Sequence, residues 1–148
     1  MADDSQRMAD ARLVSQLLVQ AAEYGKATFQ AAATSLELPV PVARALLLLD
    51  QPAPMSDLAE RLTCDRSYIT SITDQLEEKG LVARVPGADR RVKLLELTEH
   101  GKKTRDVLAA VVADNSMVFH NLSDDDRLTL QHLLGRLVHN TELPLATD

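Results

Sequence analysis

The sequence predicts a mainly α fold that carries one small β-hairpin. Three observations lead there. Apolar residues recur at three- and four-residue spacing along most of the chain, the mark of helices with one buried face. Two short β-like runs, "LVARV" (81–85) and "VKLLEL" (92–97), flank the turn-forming "PGADRR", which reads as a hairpin with a long tip. Aromatic residues make up only 3% of the 148 residues and Trp is absent, so the core is built from Leu, Val and Ala, which suits packed helices. That length fits one domain, or a small module with an oligomerisation element.

The elements follow in order. Residues 10–33 form a long helix through Leu13, Val14, Leu17, Leu18, Ala21, Ala22, Gly25, Thr28 and Phe29. Two prolines in "ELPVP" interrupt it, and a short, very apolar helix covers 41–50 with Pro41 in its first turn. After the break "QPAP", Ser56 is the expected N-cap of a third helix whose Leu58, Ala59 and Leu62 face inward. Asp65 caps a fourth helix, 66–79, closed by Gly80. Its inward face is Ile69, Ile72 and Leu76, and its outer face Arg66, Ser67, Tyr68, Thr70, Ser71, Thr73 and Asp74. Beyond the hairpin, Thr98 caps a fifth helix running to about Asn121. Ser123 with Asp126 resembles a capping box for a sixth, 124–140.

Charge is distributed unevenly. The chain carries a formal −6, yet residues 61–105 hold ten Lys or Arg against seven acids, and the remainder six against fifteen. A basic island in an acidic body is an electrostatic footprint for a polyanion. The scarcity of aromatics argues against a reader that stacks single-stranded bases. One cysteine excludes an internal disulfide framework and fits a reducing compartment. The acidic "MADDSQRMAD" start has no apolar signal-peptide core, and no run approaches the roughly 18 apolar residues of a membrane span. The expected setting is cytoplasmic, with no membrane partner. No nucleophile–base set, phosphate-binding Gly loop or paired carboxylates in an apolar setting is present, so no enzyme is expected.

Two short helices, a tight turn and a hairpin make a winged helix-turn-helix. The second helix of such a pair rests on the first and offers small donor side chains to a major groove. Arg66, Ser67, Tyr68, Thr70, Ser71 and Thr73 supply that chemistry, able to meet base edges or phosphates. A basic tip beside the helix, Arg90, Arg91 and Lys93, suits the negative potential of a narrow minor groove. The expected partner is double-stranded DNA.

"MSDLAERLTCDRSYITSITDQLEEKGLVARVPGADRRVKLLELTEHG", residues 55–101, resembles the MarR family of bacterial transcription regulators. The resemblance includes the pattern D-x-R, a spacer, then L-x-L-T-x-x-G, here Asp89, Arg91, Leu95, Leu97, Thr98 and Gly101. It implies that Arg91 enters the minor groove, that Asp89 braces it by a salt bridge, and that Arg66, Ser67, Tyr68, Thr70, Ser71 and Thr73 are the recognition face. The spacing of Arg90 and Arg91 on opposite faces of a β-like tip leaves Arg90 to meet phosphate. It implies an N-terminal dimerisation helix (1–35), a DNA-binding domain (36–101) and C-terminal dimerisation helices (102–148). Val111, Val112, Val118, Leu133 and Leu137 are more apolar than a small DNA-binding head needs. A homodimeric repressor on a pseudo-palindromic operator, released by a small aromatic or anionic ligand, is the implied function.

Other readings attach to particular residues. Tyr24, Phe29, Arg44 and Met117 are the candidate ligand-pocket residues, against plain core packing and an Arg44 that exposes its charged head. Cys64 is either small buried filler or a thiol sensor with Arg61 and Arg66 nearby. His132 and His139 share a helix face, but no metal or cofactor motif accompanies them. A winged helix that binds protein is the alternative to DNA. It requires large exposed apolar residues on the 66–79 face, where Ser, Thr and Arg predominate.

Overall fold

In a computed structural model, residues 3–139 are described. Asn140, the expected end of the last helix, and residues 141–148 lie outside them, as do residues 1 and 2. The chain runs α1 (Asp4–Ser35), α2 (Val40–Leu48), β1 (Ala53–Pro54), α3 (Met55–Leu62), α4 (Arg66–Glu78), β2 (Val82–Pro86), β3 (Lys93–Leu97), α5 (Glu99–Asp114), α6 (Met117–Asn121) and α7 (Asp124–His139). No single helix among the described residues is long and apolar enough to cross a membrane.

The core sits where α2, α3 and α4 meet the sheet and the start of α5. Leu46, Leu49, Leu58, Ile69, Ile72, Leu76, Leu81, Leu95 and Leu108 are its largest fully buried apolar side chains. At roughly 1.5–3 kcal/mol per fully buried apolar side chain, this cluster holds the central domain together. α2 is its axis, with Val42, Ala43, Ala45 and Leu46 wholly buried. From α1, only Ala32 and Ala33 near its C-terminal end are buried, with Phe29 packed against them.

Caps explain several helix boundaries. The Asp65 carboxylate accepts the Tyr68 N–H at 2.8 Å, and the Thr98 hydroxyl oxygen accepts the Gly101 N–H at 2.9 Å. Helix α4 ends in a Schellman motif. Gly80, at φ 68°, donates to the Glu77 carbonyl, and Leu81 donates to that of Leu76. Ser123 accepts the Asp126 N–H and donates to its carboxylate, so the capping box closes as expected.

Several boundaries differ from expectation. α1 runs Asp4–Ser35 against the expected 10–33, and α2 ends at Leu48 against the expected 50. Three further differences have a local cause. Ser56 is not the cap of α3. Pro54 holds that place with an extended backbone, and the Ser56 hydroxyl donates to Asp57 instead. "QPAP" is more than a break, because Ala53 and Pro54 pair with Leu95 and Leu94 and extend the hairpin to a three-stranded antiparallel sheet of order β1-β3-β2. The fifth helix stops at Asp114. The Asn115 side chain donates to the Val111 carbonyl, and Ser116 caps a separate α6 by accepting the Phe119 N–H. Short polar side chains that bond the nearby backbone offer it an alternative to the helix ladder.

Candidate nucleic-acid interface

Helices α3 and α4 meet across a three-residue turn, 63–65. Thr63 takes the left-handed conformation, φ 53° and ψ 51°, and its N–H and that of Cys64 close the end of α3 on Glu60 and Ala59. That reversal lays Ile69, Ile72 and Leu76 against the core and turns the other side of α4 outward. Arg66, Ser67, Tyr68 and Ser71 are exposed on it, and Thr70 is half-buried. The Ser67 hydroxyl donates to the Asp65 carboxylate, and Thr70 donates to the Arg66 carbonyl. The Tyr68 N–H and then Ser67 hold the Asp65 carboxyl below its ordinary pKa.

Thr73 is a correction. It is wholly buried, with its hydroxyl donating to the Ile69 carbonyl at 2.8 Å, and so offers nothing to a groove. It lies four residues after Ile69 and three before Leu76, on the apolar stripe. The back-bond to the preceding turn lets a hydroxyl enter the core satisfied.

The wing is β2, β3 and the tip between them, in a register that pairs Val82 with Leu97 and Pro86 with Lys93. The tip is a hydrogen-bonded turn, not an extension of the strands. Gly87 donates to the Val92 carbonyl and Val92 to that of Asp89. Arg90 and Arg91 are exposed on it. Asp89 does not form the expected salt bridge. Its carboxylate accepts the Arg91 backbone N–H at 3.0 Å, and the ion pairs among the described residues do not join it to an arginine. A short acidic side chain reaches the amide two residues on most readily, so the brace shapes the turn and leaves the guanidinium outward.

The basic island divides in two. Arg61 pairs with Asp50, Arg84 with Asp74 and Glu77, Lys102 with Glu99, and Arg105 with Asp106. Lys102 is thereby held above its ordinary pKa by Glu99. Arg61 and Arg105 also donate to the Leu48 and Leu49 carbonyls at the end of α2. Arg66, Arg90 and Arg91 are in none of the ion pairs found among the described residues. The arginines of the island left to solvent thus stand at the start of α4 and on the wing tip, and Lys79, Lys93 and Lys103 are likewise exposed outside these pairs. Arg66 further lines a crevice of about 530 Å³ with Pro54, Met55, Ser56, Ala59 and Ile69.

Sequence reasoning missed the role of Arg84, counting it only as charge. Its signal was an acid pair three apart on α4, Asp74 and Glu77, followed by one arginine in the next strand. The motif L-x-L-T-x-x-G also gains a physical meaning. Leu95 and Leu97 are buried, the Thr98 hydroxyl donates to the Gly80 carbonyl, and its N–H donates to that of Leu81. The motif fastens α5 to the turn after α4.

The candidate ligand residues are not drawn into one cavity. Tyr24 and Arg44 are exposed, and Phe29 and Met117 half-buried. A groove of about 490 Å³ between α1 and α5 is lined instead by Ala27, Thr28, Ala31, Ala32, Ser35, Val111 and Asn115. Cys64 is half-buried against the core. Among the described residues no three His, Cys, Asp or Glu gather to hold a metal.

The MarR family pattern matches residues 44–93, from α2 through the wing tip. The chain is 34% identical over 90 residues to the HTH-type transcriptional repressor MdtR of Bacillus subtilis, a match spanning 60% of this chain and 58% of that one. A MarR family regulator from Rhodococcus sp. RHA1 has the same fold at TM-score 0.75 and 26% identity, covering 88% of this chain and 97% of that one. CouR from Rhodococcus jostii RHA1, solved with p-coumaroyl-CoA, is similar at TM-score 0.74 and 26% identity, covering 88% and 94%. Motif, fold and these likenesses agree: over residues 44–93 and in its overall fold the chain is similar to the MarR family.

Proposed function

We propose that the chain is a transcription regulator that binds double-stranded DNA as a homodimer and acts as a repressor. The observation that carries this reading is the placement of the unpaired guanidiniums. Arg66 on α4 and Arg90 and Arg91 on the wing are exposed without a carboxylate partner, while the other arginines of the basic island, Arg61, Arg84 and Arg105, are tied up internally. A helix with Ser67, Tyr68, Thr70 and Ser71 beside such cations fits a major groove, and the wing fits the adjacent minor groove. A protein-binding role for the same face would call for large apolar side chains there, and Tyr68 is the one it exposes.

The dimer reading is supported by apolar surface that one chain leaves uncovered. Leu13, Val14 and Leu17 of α1 and Leu128 and Leu133 of α7 are each about half exposed or more, and α7 has no buried residue. A two-fold pair buries them and carries two recognition helices to half-sites about one helical turn apart. Release by a small ligand is supported by CouR, whose structure holds an aromatic acyl thioester, and the α1–α5 groove is where such a molecule would lie in this chain.

Footprinting of the purified protein across genomic DNA tests the reading. A few discrete sites with two-fold symmetric protection are expected. Uniform, weak, salt-sensitive protection, or none, overturns sequence-specific binding.

A further inference from the structure

We propose that Arg84 is a positioning residue that sets the attitude of the wing against α4 and so aims Arg91, an inference that rests on the DNA-binding reading above. β2 is an edge strand, paired with β3 alone. The ladder fixes register between β2 and β3 but not the tilt of their projecting tip relative to the helix. Arg84 lies mid-strand opposite Leu95. Its Nη2 donates to the Asp74 carboxylate at 2.9 Å and lies 3.1 Å from the Glu77 carboxylate. The two acids are one turn apart on α4, so one guanidinium nitrogen held between them ties the strand to two successive turns of the helix.

The pairing has a second effect. Asp74 and Glu77 unpaired would place two negative charges on the helix proposed to meet phosphates. Arg84 offsets half of that charge, leaving a net −1, and is itself used up. Exposed ion pairs contribute little to stability, so the restraint is expected to show in binding rather than in folding.

The alternative is that Arg84 contacts a phosphate directly, and the two roles differ in sign. In the Asp74→Asn, Glu77→Gln double variant, a phosphate-binding Arg84 is freed and two repelling charges vanish, so duplexes of any sequence bind more tightly. For a positioning Arg84 the same variant weakens binding to a mapped operator by about five- to tenfold, while non-operator duplex is held as well as before or better. Arg84→Ala is expected to lose a similar factor on the operator with its salt slope unchanged, whereas a slope shallower by about one marks a lost phosphate contact. Arg84→Lys keeps the charge on a shorter, differently shaped side chain and is expected to bind the operator between the parent and Arg84→Ala. Tighter operator binding by the double variant, or a shallower slope in Arg84→Ala, overturns the proposal. If the parent binds no duplex, the DNA-binding reading fails by itself, and hydrogen exchange still decides the clamp. Faster exchange of the β2 amides in Arg84→Ala, with α4 unchanged, upholds it, and unchanged exchange overturns it.

Discussion

Gly101 tolerates a side chain less than any other glycine in the described residues. A Cβ built there runs into the Leu81 carbonyl oxygen, the same oxygen that accepts the Thr98 N–H. Gly101→Ala therefore must push α5 off the turn after α4. A loss of about 1–3 kcal/mol is expected, read as a lower urea midpoint at constant m-value. At the wing, Asp89 shapes the backbone that presents Arg91. Asp89→Ala is expected to weaken operator binding although it removes a negative charge. Arg91→Ala is expected to lose about 1–3 kcal/mol of specific binding, and Arg90→Ala less, mainly as a shallower salt slope. Titrating the three variants on a mapped operator at two salt concentrations gives the ranking, and a tighter-binding Asp89→Ala would show the brace to be immaterial.

Among the elements, α4 depends most visibly on one cap. The Tyr68 amide and the Ser67 hydroxyl hold the Asp65 carboxyl below its ordinary pKa. A depressed carboxylate stabilises the folded state fully above the unfolded aspartate value, about 3.9, and that contribution fades as pH falls through the lower folded value. Acid therefore weakens the start of α4. Asp65→Asn keeps a capping oxygen but has no proton to take up. Its denaturation midpoint is expected to fall less than the parent's between neutral pH and pH 3. Parallel pH curves for the two proteins would show that the cap's charge does not matter.

For the whole molecule, the long α1 and the α7 helix are out of proportion to the core they help to build. Residues 4–27 of α1 are exposed throughout, and a lone chain would show water an apolar surface of the kind that marks an interface. Light scattering at micromolar concentration is expected to give twice the 16.2 kDa chain mass. Leu17→Glu with Leu133→Glu is expected to give single chains that lose operator binding by a hundredfold or more, on the order of 3 kcal/mol, because two linked heads then act alone. A parent that scatters as one chain removes both the dimer and the palindrome.

Much of this protein was legible in its sequence because the signals are local. Apolar spacing marked the long helices, Asp65 and Thr98 marked two helix starts, Gly80 marked a helix end, and "PGADRR" marked the tip, each within a few residues of the chain. The candidate interface was legible for the same reason, since Arg66, Ser67, Tyr68 and Ser71 alternate with Ile69 and Ile72 at helical spacing. What only the tertiary structure decided involves partners that local pattern does not pair. Thr73 could enter the core because a back-bond satisfied its hydroxyl against Ile69. β1 formed because Leu94 and Leu95, some forty residues away in sequence, offered it an edge. The charge count of residues 61–105 could not tell which cations were spent inside. Folding brought Asp74 and Glu77 to Arg84 and left Arg66, Arg90 and Arg91 facing solvent, and an ion pair depends on distance in space, which composition does not contain.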